Sequence, residues 1–191
     1  MLIGILAIQG GYAPHAEMLK LLGVKSCYVR TADKLKTCDA LIIPGGESTT
    51  LLCFMRERAL WSAIKAFAAS GKPILGTCAG AILLANKVVH PTQESLKLID
   101  MVIERNSYGR QVASHVSQGI FLPEQHQTEM VFIRAPRIKS IGPKIKVLGR
   151  CNDQVVFAQQ NKILVATFHP ELSTDLSWHE YLLGLVKKHG A

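Results

Sequence analysis

Short apolar runs bounded by turn residues alternate with segments of helical period through the first half of this chain, and few architectures satisfy that alternation. "LIGILAI" is followed by "APHAEMLKLLG", then "VKSCYVR", then "DALIIPGG", then a helical segment ending near Ser70, then "KPILGTC". Apolar runs of this length between turn signals read as strands buried on both faces, and the periodic segments between them read as amphipathic helices. Strand, helix, strand, helix builds a parallel sheet covered on both sides. From about residue 97 the pieces become shorter and extended ("LIDMVIER", "EMVFIRA", "IKVLGRC", "QVVFAQQ", "KILVATF"), with a hairpin turn expected at Gln160-Asn161. A last segment, "TDLSWHEYLLGLVKK", places Leu176, Tyr181, Leu182, Leu185 and Val186 at mainly helical spacing and ends in lysines, as a helix dipole favours. The fold class is α/β: a central, mostly parallel sheet with helices on both faces and an antiparallel extension in the second half. With 191 residues, one domain is expected.

Composition removes several classes of function. The longest apolar runs stop far short of the roughly 20 residues that cross a bilayer, and "MLIGILAIQGG" lacks both a basic start and a small-residue cleavage site, so a cytoplasmic protein with no membrane partner is expected. Cys27, Cys38, Cys53, Cys78 and Cys151 are odd in number and contain no C-x-x-C pair, which argues against a disulfide framework and a zinc knuckle. The net charge is +8, and "RAPRIKSIGPKIKVLGR", from Arg134 to Arg150, carries six cations and no acid. The stretch has no interleaved aromatics, so a rim facing solvent or an acidic partner fits it better than nucleic acid.

Three places can carry chemistry. In "KPILGTCAGAILLA" a strand runs into Gly-Thr-Cys-Ala-Gly and out into an apolar helix, the form of a nucleophile elbow with cysteine in the nucleophile's place. Gly76 and Gly80 relieve the crowding of such a turn, a helix N-terminus favours a thiolate at Cys78, and the Ala79 N–H points toward any oxyanion formed on attack. A buried structural cysteine in a glycine-rich turn remains the plain alternative. In "FHPELS", His169 precedes proline and is pushed toward extended backbone, which puts His169 and Glu171 on one face, a carboxylate beside an imidazole. A loop ion pair or a cap would use the same residues, and no further ligands nearby suggest a metal. In "IIPGGEST", Ser48 or Thr49 is available as a helix N-cap, and Gly45 and Gly46 bring backbone N–H groups close to any ligand.

Taken together, "PGGEST", "GTCAGAILLA", "RNSYGRQ", "FIRAP" and "FHPE", in that order along the chain, resemble the glutaminase subunits of pyridoxal 5′-phosphate synthase, a family of class I, triad-type glutamine amidotransferases. The resemblance implies the flavodoxin-like class I glutamine amidotransferase fold in one glutaminase domain, residues 1–191. It implies that Cys78 attacks the side-chain amide of L-glutamine, that His169 shuttles the proton to the leaving ammonia, and that Glu171 orients His169. It further implies an oxyanion hole from the N–H groups of Gly46 and Ala79, and substrate contacts from Gly46, Glu47, Ser48, Arg105, Ile133 and Arg134, with no cofactor and no metal. An arginine fits the α-carboxylate of glutamine as a bidentate fork. The implied partner is the (β/α)₈-barrel synthase subunit in a large hetero-oligomer, which makes pyridoxal 5′-phosphate from a pentose phosphate, a triose phosphate and the ammonia. The family's glutaminase is poorly active until docked, and the Gly45-Gly46 turn is the expected switch.

Two departures stand out. The first loop reads "IQGGYAPH" where the family often reads "LQGAVREH", keeping Gln9, Gly10 and His15, and it lies on the side the family turns toward the synthase. After "YGRQ", His115 stands where the family usually has an aromatic, and a packing role is expected for it. Two other readings remain open at this level: a different Cys-His hydrolase of similar fold acting on γ-glutamyl bonds, and a non-catalytic module in which Cys78 senses redox state.

Overall fold

The computed structural model describes residues 1–105 and 114–187. Strands β1 (Leu2–Leu6), β2 (Lys25–Val29), β3 (Ala40–Ile43), β4 (Ile74–Thr77) and, much later in the chain, β12 (Ile163–Ala166) lie parallel in the order β2-β1-β3-β4-β12. Four antiparallel strands continue the same sheet: β11 (Gln154–Gln160), β10 (Lys146–Cys151), β7 (Ser114–Phe121) and β8 (His126–Ile133). A smaller sheet holds β5 (Ala85–Val89) parallel to β6 (Ile99–Glu104), with β9 (Arg137–Ile141) antiparallel beside it. "LIDMVIER" therefore leaves the main sheet altogether, and the six cations from Arg134 to Arg150 are divided between two sheets and their loops. The β11–β12 hairpin turns one residue later than expected, at Asn161-Lys162, with Asn161 in the left-handed region that asparagine tolerates (φ 53°).

The helices are α1 (Tyr12–Leu21), α2 (Ala32–Lys36), α3 (Ser48–Glu57), α4 (Leu60–Ala69), α5 (Ala79–Leu84) and α6 (Ser177–Lys187). The segment expected as one helix ending near Ser70 is two, α3 and α4, broken at Ala59 (φ 56°). The break lets two apolar stripes, Leu51 and Met55, then Leu60, Ile64 and Phe67, each meet the core. Strand alternation sorts the interior into two layers. In β3, Leu41 and Ile43 pack with α3, α4 and α5, while Ala40 and Ile42 pack with Leu19 of α1 and Trp178 and Leu182 of α6. Among the described residues, no helix is long and apolar enough to cross a membrane.

The α6 layer is keyed by Trp178, fully buried, whose ring meets Phe121, Phe168 and Phe157 edge-on at centroid separations of 4.7, 4.9 and 5.1 Å. Of the positions the spacing points to, Leu182 is fully buried while Tyr181, Leu185 and Val186 are only partly buried; Trp178 and His179, which the spacing does not pick out, are as deep as Leu182. Trp178→Ala is expected to destabilise the fold by about 3–5 kcal/mol through the cavity it leaves. A urea-unfolding midpoint close to that of the parent would contradict this.

Candidate active site

Four loops of the site leave the carboxyl ends of parallel strands of the main sheet: Gln9 follows β1, Gly45 to Ser48 follow β3, Cys78 follows β4 and His169 follows β12, while Arg105 comes from the end of β6 and Ile133 and Arg134 from the end of the antiparallel β8. In a doubly wound sheet that edge is where chain direction and strand order open a crevice.

Cys78 sits between β4 and α5 with φ 48° and ψ −102°, a conformation that a residue with a Cβ adopts only under compulsion. Its N–H donates to the Ala166 carbonyl at 2.9 Å, which continues the β4–β12 pairing right up to the corner. Glycine at position 80 makes the corner passable, since a Cβ there would lie 2.0 Å from the Ile43 carbonyl oxygen and would lift α5 off the end of β3. The side chain is thereby presented at the sheet edge with 7% of the residue exposed, its thiol donating to the Ile133 carbonyl at 3.8 Å.

His169 arrives from the neighbouring strand end, its N–H bonded to the Val131 carbonyl of β8 at 2.8 Å. The expected extended dipeptide is absent: Pro170–Leu172 is a 3₁₀ turn with proline in its first turn, where the fixed φ and missing N–H suit it. The pair forms all the same, because the tight turn curls Glu171 back on His169, whose Nδ1 lies 2.7 Å from Glu171 Oε1. Burial works against a charged His169 ring, yet its hydrogen bonds to Cys78 and Glu171, together with their charge, outweigh burial and raise its pKa to about 10. Burial likewise disfavours the Glu171 carboxylate, and here His15 and His169 prevail, holding the carboxyl below its ordinary range. His15 Nε2 is 3.3 Å from the second oxygen, Oε2.

In front of Cys78 and His169 lies a cavity of about 330 Å³ whose walls include Gly46, Glu47, Ser48, Ala79, Arg105, Ile133 and Arg134. The structure thus brings together all the site residues singled out in the sequence, with Glu171 behind His169. Arg105, little exposed, donates from Nη2 to Glu47 Oε1 at 3.2 Å, and Arg134 stands exposed at the rim in the left-handed region (φ 43°). "RNSYGRQ" beyond Arg105 lies outside the described residues. The N-cap expectation needs correction: α3 begins at Ser48, its N-cap is Glu47, and no side chain among the described residues caps it. The Ser48 hydroxyl is drawn instead to Gln93 Oε1 at 2.9 Å, so Ser48 offers the cavity its backbone more readily than its side chain. His115 stacks on Phe132, with centroids 4.9 Å apart and planes at 11°, a packing contact.

Gln9 and Gly11, also in the cavity wall, had no assigned role in the sequence. Gln9 Oε1 accepts from the Glu47 N–H at 3.0 Å, and the Gly11 N–H donates to the Gly45 carbonyl at 2.9 Å. The variant first loop therefore straps the glycine turn. Because a trans peptide sets C=O and N–H antiparallel, a Gly45 carbonyl pulled toward Gly11 turns the Gly46 N–H away from that loop. The available signal was the position of Gln9 just past β1, at the point where strand order reverses.

A cysteine elbow, a histidine and a carboxylate gathered at the carboxyl edge of a 2-1-3-4 sheet define the architecture of class I glutamine amidotransferases. A solved glutamine amidotransferase superposes with a TM-score of 0.91 at 39% identity, covering 97% of this chain and 98% of that one. PurLQS from Thermotoga maritima, at 16% identity, shares the fold with a TM-score of 0.75 over 96% of this chain and 97% of its own. The model of the SNO glutamine amidotransferase family matches residues 5–188. Pyridoxal 5′-phosphate synthase subunit PdxT of Thermosipho africanus is 44% identical over 98% of this chain and 100% of its own length. Its counterpart in Dictyoglomus turgidum is 45% identical over 96% and 97%. The chain belongs to the SNO glutamine amidotransferase family.

Proposed function

We propose that this chain is the glutaminase subunit of a pyridoxal 5′-phosphate synthase, a single domain over residues 1–191 acting in the cytoplasm. It hydrolyses L-glutamine to L-glutamate and ammonia. The ammonia passes to a (β/α)₈-barrel partner in a hetero-oligomer, which makes pyridoxal 5′-phosphate from ribose 5-phosphate and glyceraldehyde 3-phosphate. The observation that carries the reading is the meeting of Cys78, His169 and Glu171 at one cavity, in a chain over 40% identical to full-length synthase subunits. Five free cysteines accord with a reducing compartment.

The chemistry follows from the geometry. Nδ1 of His169 is committed to Glu171, which leaves Nε2 for the sulfur. Cys78 passes its proton to His169 as Sγ bonds the glutamine side-chain carbonyl carbon, and the carbonyl electrons move onto oxygen. The N–H groups of Ala79 and Gly46 receive that oxyanion. His169, stabilised as imidazolium by Glu171, returns the proton to the amide nitrogen, the C–N bond breaks and ammonia leaves a γ-glutamyl thioester. Water, deprotonated by His169, then releases glutamate and restores the thiol. Arg105 and Arg134 offer guanidinium groups to the α-carboxylate, Glu47 an anion to the α-ammonium, and Gly46, Ser48 and Ile133 backbone groups around the chain.

The test is glutamate release from L-glutamine with and without a pyridoxal 5′-phosphate synthase barrel subunit. Slow release by the chain alone and faster release on docking is the expected result. No release in either condition would sink the reading.

A further inference from the structure

The site does not end at Glu171. Behind the carboxylate the fold places two more histidines, both with no exposed surface: His15 on α1 and His179 on α6. His15 Nδ1 is 2.9 Å from His179 Nε2, and His15 Nε2 is 3.2 Å from Thr77 Oγ1, next to Cys78 in sequence, as well as 3.3 Å from Glu171 Oε2. Four elements of the molecule, α1, β4, the 3₁₀ turn and α6, thus converge on one carboxylate. The contact with Oε2 is too oblique to count as a straight hydrogen bond, and Oε2 has no hydrogen-bond partner among the described residues.

The charge on Glu171 nevertheless decides the tautomers. A bare lone pair on His15 Nε2 would face a carboxylate oxygen at 3.3 Å, whereas an N–H there is attracted to it and to the Thr77 oxygen. A neutral His15 with its proton on Nε2 has an accepting Nδ1, so His179 must donate from Nε2. His179 Nδ1, which has no partner among the described residues, is then a bare acceptor and not an orphaned N–H. The opposite arrangement would bury an unpaired donor and turn a lone pair toward the carboxylate, two unfavourable contacts in a dry site.

We propose that His15 and His179 are positioning residues of the glutaminase site, a buried neutral imidazole pair whose N–H groups run in series toward Glu171 and hold its carboxylate from behind while His169 takes the other oxygen. The proposal rests on the glutaminase reading for its kinetic consequence but not for its structure. Neutral rings support the carboxylate by their dipoles without adding a cation that would compete with His169 for it. Burial, the largest influence on both, lowers the pKa of His15 and takes that of His179 down to about 3. The titratable groups that bear on the pair are Glu171 in front and, beyond it, His169 and Cys78.

The experiment has a direct arm and a kinetic arm. In protein labelled with ¹⁵N-histidine, long-range ¹H–¹⁵N imidazole spectra should show His15 and His179 neutral and protonated on Nε2 throughout the range from about pH 5 to 8, with assignment by His15→Gln and His179→Gln. An Nδ1-protonated ring, or an imidazolium titrating in that range, would overturn the proposal. In the docked enzyme, His15→Leu should lower kcat roughly 10- to 100-fold with KM little changed, and move the acid limb of the kcat profile to higher pH. The sign follows because the neutral His15 ring turns the positive end of its N–H dipole toward Glu171 Oε2 at 3.3 Å, so losing it lets the carboxylate protonate sooner as pH falls. His15→Gln, which keeps an N–H near the Nε2 position, should recover most of the rate. Equal loss in the folded Leu and Gln variants would reduce the pair to packing. Should the parent release no glutamate, the functional reading falls alone, and the spectra and the rate of Cys78 alkylation across the same variants still decide this one.

Discussion

Cys78→Ala is expected to lower glutamate release by about four orders of magnitude or more while leaving the fold intact. The loss is large because the reaction proposed here runs through a bond to sulfur, for which the methyl group of alanine has no substitute. The remaining groups, Ala79, Gly46 and His169, retain their places and support only a residual rate. The fold survives because the corner is held by backbone, through Ala166 on one side and the Gly80–Ile43 approach on the other, and the sulfur adds to this only a long hydrogen bond to Ile133 and its contact with His169. Cys78→Gly sharpens the test. It removes the nucleophile and also the Cβ that sits uneasily at φ 48°, so this dead enzyme should be at least as resistant to urea as its parent. Release within about tenfold of the parent by either variant would remove Cys78 from the nucleophile's role.

Gly45→Ala should cost about 10²-fold in kcat with little change in stability. Gly45 has ordinary backbone angles, so alanine is sterically admissible in the chain itself, and restricting the unfolded state would even favour it slightly. What forbids it is the site. A Cβ at position 45 would fall 2.4 Å from His169 Cε1 and 3.3 Å from Cys78 Cβ. The ring is the party that must move, and it is held at Nδ1 by Glu171 at 2.7 Å, so displacement trades the carboxylate bond for a poorer approach to sulfur. A mutation on the chemistry's doorstep that harms rate and spares folding is the signature of a glycine kept for close approach. Unchanged kcat in a folded Gly45→Ala protein would mean that His169 acts from another position.

Much of this protein is written in local pattern. The strands β1, β3 and β4, the helices α1 and α5 and the glycine-flanked corner at Cys78 depend on residues within one or two turns of each other, so periodicity and turn chemistry suffice to read them, whereas the break between α3 and α4 at Ala59 was not legible that way. The His169–Glu171 pair is local too, although the sequence argument reached it by the wrong geometry: extended backbone was expected, and a proline-started 3₁₀ turn delivers the same contact. Ser48 shows how local logic misleads. It has the right chemistry and position to cap α3, but Gln93, folded over from a distant loop, takes its hydroxyl.

What the sequence by itself determined is therefore the alternation of strands and helices in the first half, the nucleophile's corner and the residue types that ring it. Only the tertiary structure decided who stands beside whom. Placing β12 next to β4, far from its place in sequence, brings His169 to Cys78; placing β1 next to β3 brings Gln9 and Gly11 onto the glycine turn. Packing α1 and α6 on the same face of the sheet brings His15 and His179 together behind Glu171. Periodicity could not foresee that, because on a helix a buried histidine occupies the same kind of position as a leucine. Its role is set by the group it meets, and that group comes from elsewhere in the chain.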